Sequence, residues 1–219
     1  MFRIISAIGF IVCFIGIAIC CLASPCKECS WRPGQIFRRL VHLFTLLFIE
    51  QRLSPVRVLR KLVYLLALLC FVVLAVTGFG PRLFWDETIS GYWLMLHATF
   101  APVFAICLAV LVVMWASHCR FNKSDWPWLQ RLIRRVILPK TVNKEPVSEG
   151  TCPFGQKITF WLIVVLSLPL ILSIVSSMFP YFGTYWQELL LDTHRYCALA
   201  LALAVIVHTY LMIRAQMNE

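Results

Sequence analysis

The chain has 219 residues and a formal net charge of +10. Its composition is 61% hydrophobic and only 14% charged, with a mean hydropathy of +0.83. There is too little polar surface to clothe a water-soluble globule of this size, so secreted, disordered and coiled-coil classes are excluded and an integral membrane protein remains.

Apolar residues gather into five runs of spanning length, at 5–23, 62–80, 92–116, 158–180 and 190–212. Each is near the ~20 residues that cross the hydrocarbon core as helix. The runs lack the alternation of a barrel strand, so they predict an all-α bundle: one N-terminal anchor helix followed by a four-helix core. A short basic start before an apolar stretch also describes a signal peptide, but cleavage alone does not account for the basic segment that follows. Run 5–23 is therefore read as an uncleaved anchor.

Basic residues set the orientation. Segment 24–61 holds Lys27, Arg32, Arg38, Arg39, Arg52, Arg57, Arg60 and Lys61, and segment 117–157 holds Arg120, Lys123, Arg131, Arg134, Arg135, Lys140, Lys144 and Lys157. Five spans put both on one face with Arg214, which the positive-inside rule makes cytoplasmic, leaving the N-terminus outside. Stretch 35–53 is apolar with charged ends, its continuous apolar part too short to span, and in 126–138 aromatics and arginines alternate. Both predict interfacial helices, with anionic lipid rather than nucleic acid as the expected partner.

The ten cysteines do not form a disulfide pattern, since Cys13, Cys20, Cys70, Cys107 and Cys197 lie inside apolar runs, where thiols act as small hydrophobes. Cys26 and Cys29 have the spacing of a redox or metal pair. No histidine follows them and no second such pair exists, so they read as free thiols at a helix end. Trp85, Tyr92, Trp93, Tyr185 and Trp186 read as an aromatic belt.

Ionisable side chains are costly in a bilayer, which makes intramembrane histidines functional candidates. His97, His194 and His208 lie in the core spans. His97 and His194 sit at matching depth, about a turn and a half and one turn into helices that enter from the same side. Facing imidazoles at one level are what a bis-histidine haem needs. His208 follows His194 by 14 residues, a rise of ~21 Å that returns it to within ~40° of the same face. No carboxylate lies mid-span, which argues against proton relays and transport. Arg195 is placed to pair with a haem propionate and with Asp192. The bland alternative for the histidines is hydrogen bonding across helices.

The core from about 60 to 215 resembles the cytochrome b subunit of membrane-bound formate dehydrogenases and the related hydrogenase cytochromes b. The resemblance rests on Thr77-Gly78, Leu96-His97, Gly155-Gln156-Lys157 with Phe160-Trp161, and the two-histidine helix Leu191 to Tyr210. It implies a four-helix bundle with one or two b haems in a prokaryotic inner membrane. It also implies His97 and His194 on an outer haem, His208 on an inner one, and quinone near Gly155, Gln156 and His208. The chain would then carry electrons between the quinone pool and an iron-sulfur or catalytic dehydrogenase subunit. Two positions depart from the family's pattern: Tyr64 stands where an inner ligand is expected, and Pro153 where an asparagine is. His42, in Arg38-Arg39-Leu40-Val41-His42, is a better substitute ligand than His118, which lies about two turns deeper than His208. A haem-free anchor and a stand-alone transmembrane reductase are the competing functions.

Overall fold

In the computed structural model, residues 1–23, 55–121, 154–179 and 183–218 are described. Five helices are long and apolar enough to cross a membrane: α1 (Phe2–Ala23), α2 (Pro55–Gly80), α3 (Gly91–Trp115), α4 (Phe154–Ser177) and α5 (Thr184–Asn218). No strand occurs among the described residues. Large apolar side chains stand exposed along all five, from Ile11 and Leu69 to Val113, Val165 and Leu189, as they must where the surrounding solvent is hydrocarbon. The multi-pass all-α architecture expected from hydropathy is therefore present. The expected interfacial stretches, His42 and the Cys26/Cys29 pair lie outside the described residues.

The spans agree with the apolar runs at their centres and depart at their ends. Helix α2 starts at Pro55 and α5 at Thr184, several residues before the runs at 62 and 190. A hydropathy run marks the hydrocarbon boundary, whereas a helix ends where its backbone groups find other partners. Proline is well suited to a first helical turn, where its missing N–H has no intrahelical acceptor to lose. At α5 the Gly183 carbonyl accepts from the Trp186 and Gln187 N–H groups at 3.0 and 3.2 Å, so the helix is already formed in the aromatic, polar stretch. His194 consequently sits ten residues into its helix, nearly three turns, rather than the single turn expected.

The chain divides into two units, Met1–Met114 and Trp115–Glu219. In the first, α2 and α3 form an antiparallel hairpin. On α2 the buried positions Ala67, Cys70 and Thr77 recur at three- and four-residue multiples and make one narrow face of small side chains. Ala67, Cys107 and Leu111 form its core, with Val63 and half-buried Tyr64 packed against them, and Phe71 meets Phe104 at 6.3 Å. After Gly80 the chain widens into a π-helical turn, Pro81–Trp85, closed by Asp86 in the left-handed region at φ 57°. Helix α1 joins this end: Phe2 and Phe10 pack on Phe79 at 6.3 and 5.3 Å, with fully buried Ser6 one turn from each, and Arg3 lies 3.7 Å from Asp86.

In the second unit α4 and α5 run antiparallel. Gly155 faces Leu211, Thr159 faces His208, and Leu170 faces His194, so the pairing closes steadily toward the connecting turn. Trp161 donates from Nε1 to the Cys119 carbonyl at 3.0 Å, anchoring the segment before α4 to this pair.

Candidate haem-ligating histidines

Each intramembrane histidine is held through Nδ1 by the helix packed against its own. His97 Nδ1 lies 2.9 Å from Thr77 Oγ1, and His208 Nδ1 lies 2.7 Å from Thr159 Oγ1. His194 Nδ1 lies 3.0 Å from the Leu170 carbonyl oxygen. A carbonyl only accepts, so His194 carries its proton on Nδ1. The threonines lead to the same assignment. Thr77 Oγ1 is 2.8 Å from the Val73 carbonyl, and Thr159 Oγ1 is 2.9 Å from the Gly155 carbonyl. Each hydroxyl has one proton, and with that proton on the carbonyl the oxygen accepts from the imidazole, which leaves the lone pair of a neutral ring on Nε2, the arrangement His194 has with Leu170.

This is the state in which an imidazole ligates iron: neutral, with the distal nitrogen carrying the lone pair and the proximal N–H fixed by an acceptor. The ring of His97 also has a prepared seat. A Cβ at position 78 would come within 3.2 Å of His97 Cε1, so Gly78 permits an approach that a larger residue would crowd. Among the described residues no three His, Cys, Asp or Glu side chains gather as a metal-ion cluster. The donor set among the described residues is one of separate imidazoles, which fits axial ligation of a porphyrin iron.

His194 and His208 both face α4, in keeping with their 14-residue spacing, and Leu201 between them is buried on the same stripe. Gly155 admits Leu211 Cδ1 to 3.3 Å of where its Cβ would stand, and Gln156 Nε2 donates to the Leu211 carbonyl at 3.2 Å. The expected quinone residues Gly155, Gln156 and His208 thus share one end of the α4–α5 pair, where Gln156 and Lys157 are both buried. Arg195 donates from Nη1 to Asp192 Oδ1 at 2.8 Å, the partner named for it in the sequence, with both side chains about half exposed. Tyr64 packs against the Ala67–Cys107–Leu111 cluster. His118 lies beyond the end of α3, exposed, with Nδ1 3.2 Å from Ser117 Oγ.

The sequence missed Thr159 and Leu170, and it registered Thr77 only as part of a motif. A usable signal existed for the threonines, since a hydroxyl in an apolar span needs a partner. None existed for a backbone carbonyl.

The prokaryotic cytochrome b561 family matches residues 65–217, which include all three histidines and both threonines. The chain belongs to this family. It is similar to the cytochrome b556(fdo) subunit of formate dehydrogenase from Escherichia coli strain K12, at 28% identity over 151 residues, 64% of this chain and 69% of the relative. It is also similar to the cytochrome b556(Fdn) subunit of the nitrate-inducible formate dehydrogenases of Escherichia coli K12 and Shigella flexneri. These are 27% identical over 154 residues, 65% of this chain and 69% of each relative. The membrane cytochrome thus carries haem b and transfers electrons, and it is a multi-pass protein of a prokaryotic inner membrane. This decides for the electron carrier over the haem-free anchor.

Proposed function

We propose that this cytochrome is the haem b subunit of a respiratory formate-dehydrogenase-type complex, linking a catalytic or iron-sulfur subunit to the quinone pool, with His97, His194 and His208 as iron ligands. The observation that carries the reading is the common placement of the three rings, each with Nδ1 within hydrogen-bond distance of an oxygen on the neighbouring helix, which leaves Nε2 for iron. Haem b, when bound, supplies a one-electron ferric/ferrous couple. The chain's own contribution is to fix ring orientation and exclude water through apolar packing within α2–α3 and within α4–α5, both of which tune that couple.

The relatives' names support the partner, since they are subunits of formate dehydrogenases. The basic segments support a cytoplasmic face at 24–61 and 117–157, with the N-terminus and the catalytic partner on the other side. Anionic lipid would line the basic face. Quinone would bind where Gly155, Gln156 and His208 meet at one end of α4–α5. Two haems per chain are proposed, the second completed by His42, since Tyr64 stands at the family's usual ligand position.

Haem per polypeptide and reduced-minus-oxidised spectra of the detergent-purified complex test the reading. We expect a split Soret and a sharp α-band, with one component lost in both His97→Ala and His194→Ala and another lost in His208→Ala. A spectrum unchanged in His97→Ala removes that residue from the site.

A further inference from the structure

The two threonines do more than fill space between helices. A threonine in a helix normally satisfies its hydroxyl on a carbonyl three or four residues back, and nothing more is required of it. Thr77 does this with Val73 at 2.8 Å and Leu74 at 3.3 Å, and Thr159 with Gly155 at 2.9 Å and Gln156 at 3.2 Å. Yet each oxygen also stands 2.9 or 2.7 Å from the Nδ1 of a histidine on the next helix. The same four-part chain, carbonyl, hydroxyl, Nδ1–H and Nε2, recurs in two separate helix pairs, α2–α3 and α4–α5. Thr77 is 1% exposed and Thr159 9%, so water does not compete for either oxygen.

We propose that Thr77 and Thr159 are positioning residues for iron ligation, each fixing the tautomer of its histidine and raising the basicity of Nε2 by accepting the Nδ1 proton in a hydrogen bond. A hydroxyl that donates to a carbonyl is polarised into a better acceptor, so the helix backbone reinforces the imidazole through it. Greater ligand basicity favours the ferric ion, which holds the potential of the bound haem down. His194 differs in kind: its acceptor is the Leu170 carbonyl, which also receives the Ser173 hydroxyl at 3.0 Å, and no side-chain substitution removes it. The inference rests on the haem-ligand reading above, and its test is separable from it.

Thr77→Val keeps the shape and deletes the hydroxyl, whereas Thr77→Ser keeps the hydroxyl. In redox titrations of the intact cytochrome, followed at the α-band, Thr77→Val moves the component lost in His97→Ala to higher potential. A tenfold change in the ratio of ferric to ferrous affinity, about 59 mV for one electron, is the expected scale. Thr77→Ser stays at the wild-type value. Thr159→Val raises only the component lost in His208→Ala. Valine variants that hold haem at unchanged potential overturn the proposal. Should a valine variant bind no haem, its serine counterpart decides: binding at the wild-type potential supports the proposal, and failure overturns it. A readout independent of haem is the ¹⁵N spectrum of the histidine-labelled full chain prepared without it. Nδ1–H tautomers at His97 and His208 support the assignment, and Nε2–H tautomers overturn it. A wild-type chain that takes up no haem defeats the ligand reading and leaves this last measurement standing.

Discussion

The two helix pairs of this cytochrome reach similar ends by different means. In α2–α3 the interface is narrow and largely apolar, made of Ala67, Cys70, Phe71, Phe104, Cys107 and Leu111, with Thr77 and His97 as a polar meeting near one end. In α4–α5 polar side chains recur along the whole length: Gln156, Lys157, Thr159, Ser167 and Ser173 are all buried on α4, opposite a helix with two histidines. Lipid tails are as apolar as leucine, so helices in a bilayer gain little by hiding apolar faces from it. The first pair meets through a few apolar side chains and the Thr77–His97 bond, whereas the second joins its helices by hydrogen bonds spread along their length. Only the second places two imidazoles and an amide on one seam, which is why, among the described residues, one pair carries one of the proposed ligands and the other carries two.

The sharpest way to break this comparison is to remove the two proposed ligands of the second pair. His194→Ala and His208→Ala should each abolish a haem component entirely, while the α4–α5 pair still assembles through its remaining bonds. Circular dichroism with haem spectra checks this. Collapse of the helices in either variant would mean that these histidines are packing residues.

A smaller contrast is expected at the two glycines. Gly78→Ala puts a methyl 3.2 Å from a ring atom of His97, whose position is fixed by Thr77, whereas Gly155→Ala meets the movable end of Leu211 at 3.3 Å. The first should shift or weaken the His97-dependent haem signal, and the second should leave the His208-dependent signal near wild type. Equal effects in haem-binding titrations would undo the distinction between a rigid and a yielding neighbour.

Gln156→Leu removes the donor to the Leu211 carbonyl and should lower thermal stability of the purified cytochrome modestly, on the order of 0.6 kcal/mol for an interhelical bond of this kind. Loss of quinone-dependent haem oxidation beyond that small change would mark the side chain as part of the quinone site. The least effect is expected from Asp192→Asn. Its bond to Arg195 lies on one helix with both partners half exposed, a class worth about 0.3–0.5 kcal/mol. A marked change in the haem spectrum would instead implicate Arg195 in holding a propionate.

Much of this was legible in the amino-acid order. The five spans announced themselves through hydropathy, and the histidines through their cost in a bilayer. The shared face of His194 and His208 followed from spacing alone, because both lie on one continuous helix whose geometry is regular. Three things resisted. Helix starts at Pro55 and Thr184 depend on local capping rather than on the apolar run, which misplaced His194 along its helix. The acceptors of the Nδ1 protons belong to other helices, and their identity depends on a register that no single stretch encodes. The left-handed Asp86 and the π turn before it are backbone details that hydropathy does not encode, at a point where Arg3 and Arg82 both approach one carboxylate at 3.7 Å.

The aromatic clasp at Phe79 has a consequence for how the molecule tolerates loss. Helix α1 meets its neighbour at one end, through Phe2 and Phe10 on Phe79 and Arg3 beside Asp86, while Ile11, Val12, Phe14, Ile15, Ile19 and Leu22 are exposed. Strip α1 away and acyl chains would lap against Phe79 in place of two phenyl rings, one oily surface substituted for another. The remaining helices would scarcely notice, and removal of Phe2–Ala23 alone, which keeps His42, should yield a cytochrome that still folds around its iron.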